Sequence, residues 1–229
     1  MELLESIEVF PVILTLAAFQ IGQVCQKKWK KPIFNPTLIG MVLVTAFVAI
    51  SGMNPEGYTS GTKLIFWLMT PATISLAVPM YQQFQVLRKS LKAVLAGVCA
   101  GALSCILLIA AVSVLLGFDR SVMISLMPKS VTTAIGMSLS EMFGGMGGVT
   151  VAAIIVTGIG GNMLGPVLCK LFRITDEVAQ GVAFGTAAHV IGTAKANELS
   201  ELTGAASSLS LVVAGLLTAV FMPIIVSFM

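Results

Sequence analysis

Six stretches of this chain, Val9–Cys25, Phe34–Gly52, Leu64–Tyr81, Ala93–Phe118, Val149–Phe172 and Ala205–Phe228, carry one charged residue between them, Lys170. A helix needs about 20 consecutive apolar residues to cross a bilayer, where no water is present to satisfy backbone polar groups. Six such runs leave one fold class, an all-α polytopic membrane protein. A transmembrane β-barrel would show ~10-residue alternating segments instead, and the sequence has none. Composition agrees. Charged residues make up 10% of the chain, against about 25% in a soluble domain, and the mean hydropathy is +1.00. The net charge of +3 is small and scattered, which excludes an electrostatic footprint for nucleic acid.

Other classes fall on local grounds. The N-terminus, MELLESIEVF, has Glu2, Glu5 and Glu8 and no early base, so it does not read as a secretory signal peptide. Cys25, Cys99, Cys105 and Cys169 lie in apolar segments or at their edges, with no CxxC pair. They read as free thiols packed like small hydrophobes. The sequence has one histidine and no HExxH, phosphate-binding loop or GxSxG elbow, so no enzymatic activity, metal or cofactor is expected.

Two further stretches, Ser121–Gly148 and Val178–Gly204, are apolar but too polar for lipid contact. Short loops rich in Lys and Arg stay cytoplasmic. Lys27, Lys28, Lys30 and Lys31 place the first connection inside, Arg88, Lys89 and Lys92 the third, and Lys170 with Arg173 the one after Val149–Phe172. The base-free connection 53–62 lies outside, as does the N-terminus. These assignments agree if Ser121–Gly148 enters and leaves from the outside as a re-entrant hairpin. Val178–Gly204 then dips in from the cytoplasm, and the C-terminus ends outside. Fully crossing broken helices are the alternative, with Lys170 and Arg173 outside. A repeat at an offset of 56 joins the two stretches: Ala134-Ile135-Gly136-Met137-Ser138 aligns with Val190-Ile191-Gly192-Thr193-Ala194, and Ser130 with Thr186. Hairpins that open to opposite sides would be inverted repeats, the design that builds alternating access in many transporters. Residues 1–118 then supply scaffold and oligomerisation helices, and 119–229 a transport region.

The first hairpin reads SLMPKSVTTAIGMSLSEMFGGMGG. Pro128 disfavours helix at Met127, and Ser130 is the expected N-cap of a second half-helix starting near Val131. Such a start offers free N–H groups and the positive end of a dipole to an anion. Lys129 adds a charge, and Ser130, Thr132 and Thr133 add hydroxyls. The alternative is a closely packed Ser/Thr-rich helix with Lys129 snorkelling to the interface. In the second hairpin, GVAFGTAAHVIGTAKANELSELTG, Gly185 is the expected breaker and Thr186 the expected cap. Thr186, His189, Thr193 and Asn197 would then share one polar helix face. His189 either meets a substrate or proton, or bonds a backbone carbonyl between helices. Asn162, in GIGGNMLGP, either donates to a substrate or joins two helices. Gly158, Gly160, Gly161 and Gly165 let another backbone approach. Gly97 and Gly101 form a GxxxG, a packing signal. Lys195 with Glu198 and Glu201 reads as a solvated face, and no buried Asp or Glu favours a sodium site.

Together MPKSVTTAIGM, GIGGNMLGP and AFGTAAHVIGTAKA resemble the signature segments of the LrgB/CidB family, a resemblance that covers nearly the whole chain. Pro128 through Thr133 and His189 through Thr193 fall on those segments, while Ala134 and Gly136 stand where some relatives carry Pro and a larger residue. The resemblance implies either of two activities. Family members were first described as antiholin-like or holin-like modulators of murein hydrolases and autolysis. Plant relatives exchange glycolate and glycerate across the plastid envelope, and some bacterial relatives move pyruvate. It also implies a small LrgA/CidA-type membrane partner. The expectation is a multi-pass protein of the bacterial inner membrane, a dimer or other homo-oligomer, that carries short 2-hydroxy or 2-oxo acids. Lys129, Ser130, Thr132 and Thr133 would bind the carboxylate. Thr186, His189 and Thr193 would read the 2-position, with Asn162 orienting. The rival expectation is a holin-type regulator.

Overall fold

The computed structural model describes residues 9–29, 34–75 and 77–228, so Glu2, Glu5, Glu8, Lys30 and Lys31 lie outside the described residues. Those described are helical, with no strand among them. The chain divides into two compact units, Met1–Ser75 and Leu76–Met229.

In the first unit, α1 (Phe10–Trp29) and α2 (Pro36–Ser51) form an antiparallel pair. Gly22 faces Pro36, Gly40 faces Phe19, and the rings of Phe10 and Phe47 lie 5.8 Å apart. Asn35 caps α2, its side chain accepting from the N–H groups of Thr37 and Leu38, with Pro36 at the first helical position. There the missing proline N–H costs nothing. Lys27 and Lys28 occupy the last turn of α1, where cations suit the helix dipole. The Lys28 ammonium lies 5.5 Å over the Trp29 ring. A short α3 (Pro55–Gly61) and α4 (Lys63–Ser75) complete the unit.

The second unit contains α5 (Ala77–Gln82), α6 (Phe84–Leu116), α7 (Arg120–Leu126), α8 (Thr133–Met142), α9 (Gly147–Leu171), α10 (Glu177–Leu199) and α11 (Glu201–Ser227). Within Leu64–Tyr81 the described residues form α4 and α5, and residue 76 between them lies outside the described residues. Among the described residues three helices are long and apolar enough to cross a membrane: Leu87–Leu116 within α6, α9 and α11. α6 begins nine residues before the expected Ala93, because Arg88, Lys89 and Lys92 continue it outward on stems that can snorkel. It ends where Gly117 adopts φ 68°, the left-handed C-cap that glycine takes without strain.

Both polar stretches fold back on themselves. In α10, Gly181 packs on Thr203 and Ala206, and Gly185 on Ser207 and Ser210, so the first arm runs parallel to α11. Past the break, Thr193 bonds Ser207 and Asn197 lies against Gly204, so the second arm runs antiparallel to it. A Cβ at Gly192 would lie 2.7 Å from the Phe184 carbonyl, eight residues earlier. A continuous helix would hold those residues about 12 Å apart. In the other stretch, the Pro128 carbonyl faces Gly136 and Ser125 receives the Met146 N–H. α7 and α8 are thus the arms of a second hairpin.

The crossing helix α9 relates the two. Thr150 of α9 donates to Ser140 of α8 near the N-terminal end of α9, whereas Cys169 near its C-terminal end packs with Phe184 and Ala196 of α10. The hairpins therefore enter from opposite ends of α9, and the repeat is inverted. Its spacing is structural too: Thr132 and Ala188, the residues at the two breaks, are 56 apart, as are Leu171 and Ser227, which end α9 and α11. Gly97 and Gly101 of α6 meet Val182 and Thr186 in the same order. The basic start of α6 thus lies at the same end of this unit as Lys170 and Arg173, as the hairpin reading requires.

Candidate functional site

The tip of the first hairpin is built around Pro128. α7 stops at Leu126, and the chain turns through Lys129 N–H to Leu126 carbonyl (3.2 Å) and Val131 N–H to Pro128 carbonyl (3.3 Å). Thr132 is extended (φ −65°, ψ 150°), and α8 starts at Thr133. The N-cap is therefore Thr132, without a side-chain cap bond, rather than the expected Ser130. Ser130 is buried at the turn instead. Its hydroxyl accepts from the Lys129 ammonium at 3.3 Å and lies 3.3 Å from the Cys105 thiol of α6.

In the second hairpin the break falls at Ala188 (φ −126°, ψ 16°) and His189 (φ 42°, ψ −138°), three residues after the expected Gly185–Thr186 break. Thr186 thus remains inside the first arm. The expected single face of Thr186, His189, Thr193 and Asn197 does not form, because a break separates the first from the others. A non-glycine residue at positive φ costs about 1–3 kcal/mol unless its surroundings hold it. Here α9 holds it. The His189 Nε2–H donates to the Ile154 carbonyl at 2.9 Å, through the gap left by Gly158. Ala188 fills the space at Gly161, and the Phe184 ring the space at Gly165. Gly160 meets nothing within 4 Å, so three of the four expected close-approach glycines serve that role. The Asn162 side-chain amide donates to the Ile191 carbonyl at 3.0 Å. Thr193 donates to the His189 carbonyl at 3.0 Å and pairs with the Ser207 hydroxyl at 2.8 Å.

Both hairpins reach α9 at Ile154, in its N-terminal half. Ile154 is shared: its side chain packs against Gly136 of the first hairpin, and its carbonyl takes the His189 proton from the second. Beside them opens a cleft of about 900 Å³ whose walls come from α6, the first tip and the first arm of α10. Lys129, Ser130 and Thr186 line it, and Asn162, His189, Thr193, Thr132 and Thr133 do not. Most of the lining is apolar, from residues such as Leu107, Ala111 and Val182. Lys129 has no ion pair among the described residues. Thr186 is 7% exposed, and its hydroxyl has no hydrogen-bond partner among them. Leaving a buried hydroxyl unsatisfied costs about 1–3 kcal/mol, so the cleft holds one strong cation and has, in its wall, a residue with an unmet polar group. The α6 wall, with Ser104 and Cys105, was not singled out from the sequence. The only local cue was the Gly97/Gly101 spacing, which marks an approach and not its partner.

A family model described as the LrgB-like family matches residues 15–228. YwbG of Bacillus subtilis (strain 168) is 33% identical over 223 residues, covering 97% of this chain and 99% of that protein. The antiholin-like protein LrgB of Bacillus cereus (strain B4264) is 33% identical over 220 residues, 96% of each chain. The protein of the same name from Bacillus anthracis (strain CDC 684 / NRRL 3495) matches to the same extent. No solved structure matches.

Proposed function

The chain belongs to the LrgB-like family, and from that premise and the geometry of the cleft we propose that it is a secondary carrier or facilitator of small monocarboxylates. The observation that carries the reading is the pairing of Lys129 and Thr186 on one cleft, each brought by a hairpin that enters from the opposite end of α9. A short 2-hydroxy or 2-oxo acid has two matching features, a carboxylate and an adjacent oxygen. Lys129 with Ser130 takes the carboxylate, and the Thr186 hydroxyl takes the 2-position oxygen. Thr132 and Thr133 shape the start of α8 behind them. His189, Asn162 and Thr193, each engaged with backbone or a neighbouring hydroxyl, brace the second tip and hold Thr186 in place.

Transport follows from the inverted arrangement. Withdrawal of either hairpin from Ile154 of α9 opens the same cleft to one end while the other hairpin keeps the opposite end shut. The end bearing Arg88, Lys89, Lys92, Lys170 and Arg173 faces the cytoplasm, by the preference of short basic loops for that side. The membrane is the bacterial inner membrane, with both termini outside. A homodimer and a small LrgA/CidA-type partner belong to this proposal. A regulator of murein hydrolases is the second reading, favoured by the antiholin-like names of the Bacillus cereus and Bacillus anthracis relatives.

The test is uptake of labelled glycolate and pyruvate into proteoliposomes that contain this chain alone, with a dye-leak control. Saturable uptake that unlabelled hydroxy acid competes away, without dye release, is the expected result. Dye release without saturation favours the holin-type reading and overturns the carrier.

A further inference from the structure

α6 carries Gly97, Gly101 and Cys105 at intervals of four, so they share one helix face. That face is used in sequence by both hairpins. Gly97 meets Val182, Gly101 meets Thr186, and Cys105 meets Ser130. A Cβ at position 101 would lie 2.7 Å from the Thr186 Cγ2, so the second hairpin seats against bare backbone there. One turn further along, about 6 Å, the Cys105 thiol takes up the first hairpin through Ser130 at 3.3 Å. The Ser130 hydroxyl is also the acceptor of the Lys129 ammonium. Thr186 adds an independent observation: this 7% exposed residue lines the same cleft, and its buried hydroxyl finds no partner among the described residues.

The geometry points to α6 as the third wall of the anion site, with Cys105 as the positioning residue that sets Ser130 and, through it, the Lys129 ammonium. This rests on the carrier reading above and adds to it a side that neither hairpin supplies. The thiol and the Ser130 hydroxyl share one hydrogen bond, which leaves Ser130 oriented to accept from Lys129. A bound carboxylate draws the ammonium forward and covers the thiol. Cys105 is therefore both a tuning residue for substrate affinity and a reporter of occupancy.

The experiment uses the full chain in proteoliposomes with Cys25, Cys99 and Cys169 replaced by Ala, so that Cys105 is the sole thiol. Alkylation by N-ethylmaleimide is followed by intact mass. Only thiolate reacts appreciably, so alkylation reports water access to the cleft. We expect pyruvate or glycolate to slow alkylation and equal chloride not to. A matched chain that keeps only Cys99, on another face of α6, is not protected. In uptake assays Cys105→Ala raises KM about three- to tenfold, the weight of one hydrogen bond, with kcat unchanged, and Cys105→Ser restores it. Undiminished alkylation in a chain that still transports saturably overturns the third wall and leaves the carrier reading standing. Loss of both uptake and protection overturns the carrier reading, and this inference with it. Equal KM in the parent and Cys105→Ala removes the positioning role.

Discussion

At position 158 there is room for a hydrogen and nothing larger. A Cβ there lies 2.7 Å from the His189 Cε1, 2.8 Å from its Nε2 and 2.8 Å from the Ile191 Cδ1. The imidazole cannot retreat without giving up the Ile154 carbonyl that it bonds at 2.9 Å, and that bond helps hold a residue at φ 42°. Gly158→Ala therefore overpacks the second tip and should destabilise the protein by about 1–3 kcal/mol, read as a lower thermal midpoint in lipid nanodiscs. Gly160→Ala, two residues away with nothing within 4 Å, is the control. It should be neutral or stabilising, because Ala is the better helix former by about 1 kcal/mol. Equal losses in the two variants would remove the close approach as the cause. Lys129 behaves in the opposite way. Its ammonium donates to Ser130 and has no ion pair among the described residues, and a lysine at the middle of a bilayer costs about 2.5–3.5 kcal/mol on the insertion scale. Lys129→Ala should leave the thermal midpoint unchanged or raise it while abolishing saturable uptake. Undiminished uptake in that variant takes Lys129 out of the site.

At the scale of elements, the hairpins make the sharpest claim. Both ends of α10 lie beside the C-terminal end of α9, and both arms of the first hairpin beside its N-terminal end. Gly148 is exposed with open space around it, and Thr175 is exposed in the connection at the other end. In a background without native thiols, Gly148→Cys and Thr175→Cys should react with an impermeant maleimide from opposite sides of the membrane. Reaction from the same side would mean that α9 does not cross. Much of this arrangement was legible in the sequence. Apolar run length marks the helices, Pro128 marks where α7 gives way although Met127 itself stays in the α region (φ −54°, ψ −47°), and the basic loops fit hairpins, with crossing broken helices as the alternative. The break positions were less legible. Thr186 after Gly185 reads as a cap, yet the chain stays helical to Ala187 because what stops it is tertiary. Ala188 seats on Gly161, and His189 reaches into the gap at Gly158, partners about 30 residues away that local pattern cannot see. The same limit hides the α6 wall and the partners of Asn162 and Thr193: of the two roles open to Asn162, the interhelical bond is the one its contact with the Ile191 carbonyl fits, and Thr193 bonds the His189 carbonyl and Ser207.

For the whole molecule, a carrier and a pore differ in what the trans side does. Under the carrier proposal, the two hairpins that both contact Ile154 withdraw in turn, and the cleft opens to one end at a time. Return of the empty cleft requires the apolar walls around Lys129 to rearrange with an uncompensated charge. Return with a bound carboxylate carries a neutralised pair, which is the less costly species in a low-dielectric surround. The loaded transition should therefore be faster than the empty one. Proteoliposomes preloaded with unlabelled pyruvate should then take up labelled glycolate faster than empty ones, transiently above the equilibrium level. A pore has no such memory of the far side, so preloading would leave the initial rate unchanged or lower it. Adding a small LrgA/CidA-type protein separates the remaining case. If trans-stimulation appears only when both chains are present, the second unit holds the site but cannot cycle alone. If dye escapes whenever the two are combined, the antiholin-like names of the Bacillus relatives describe the activity better than the cleft does.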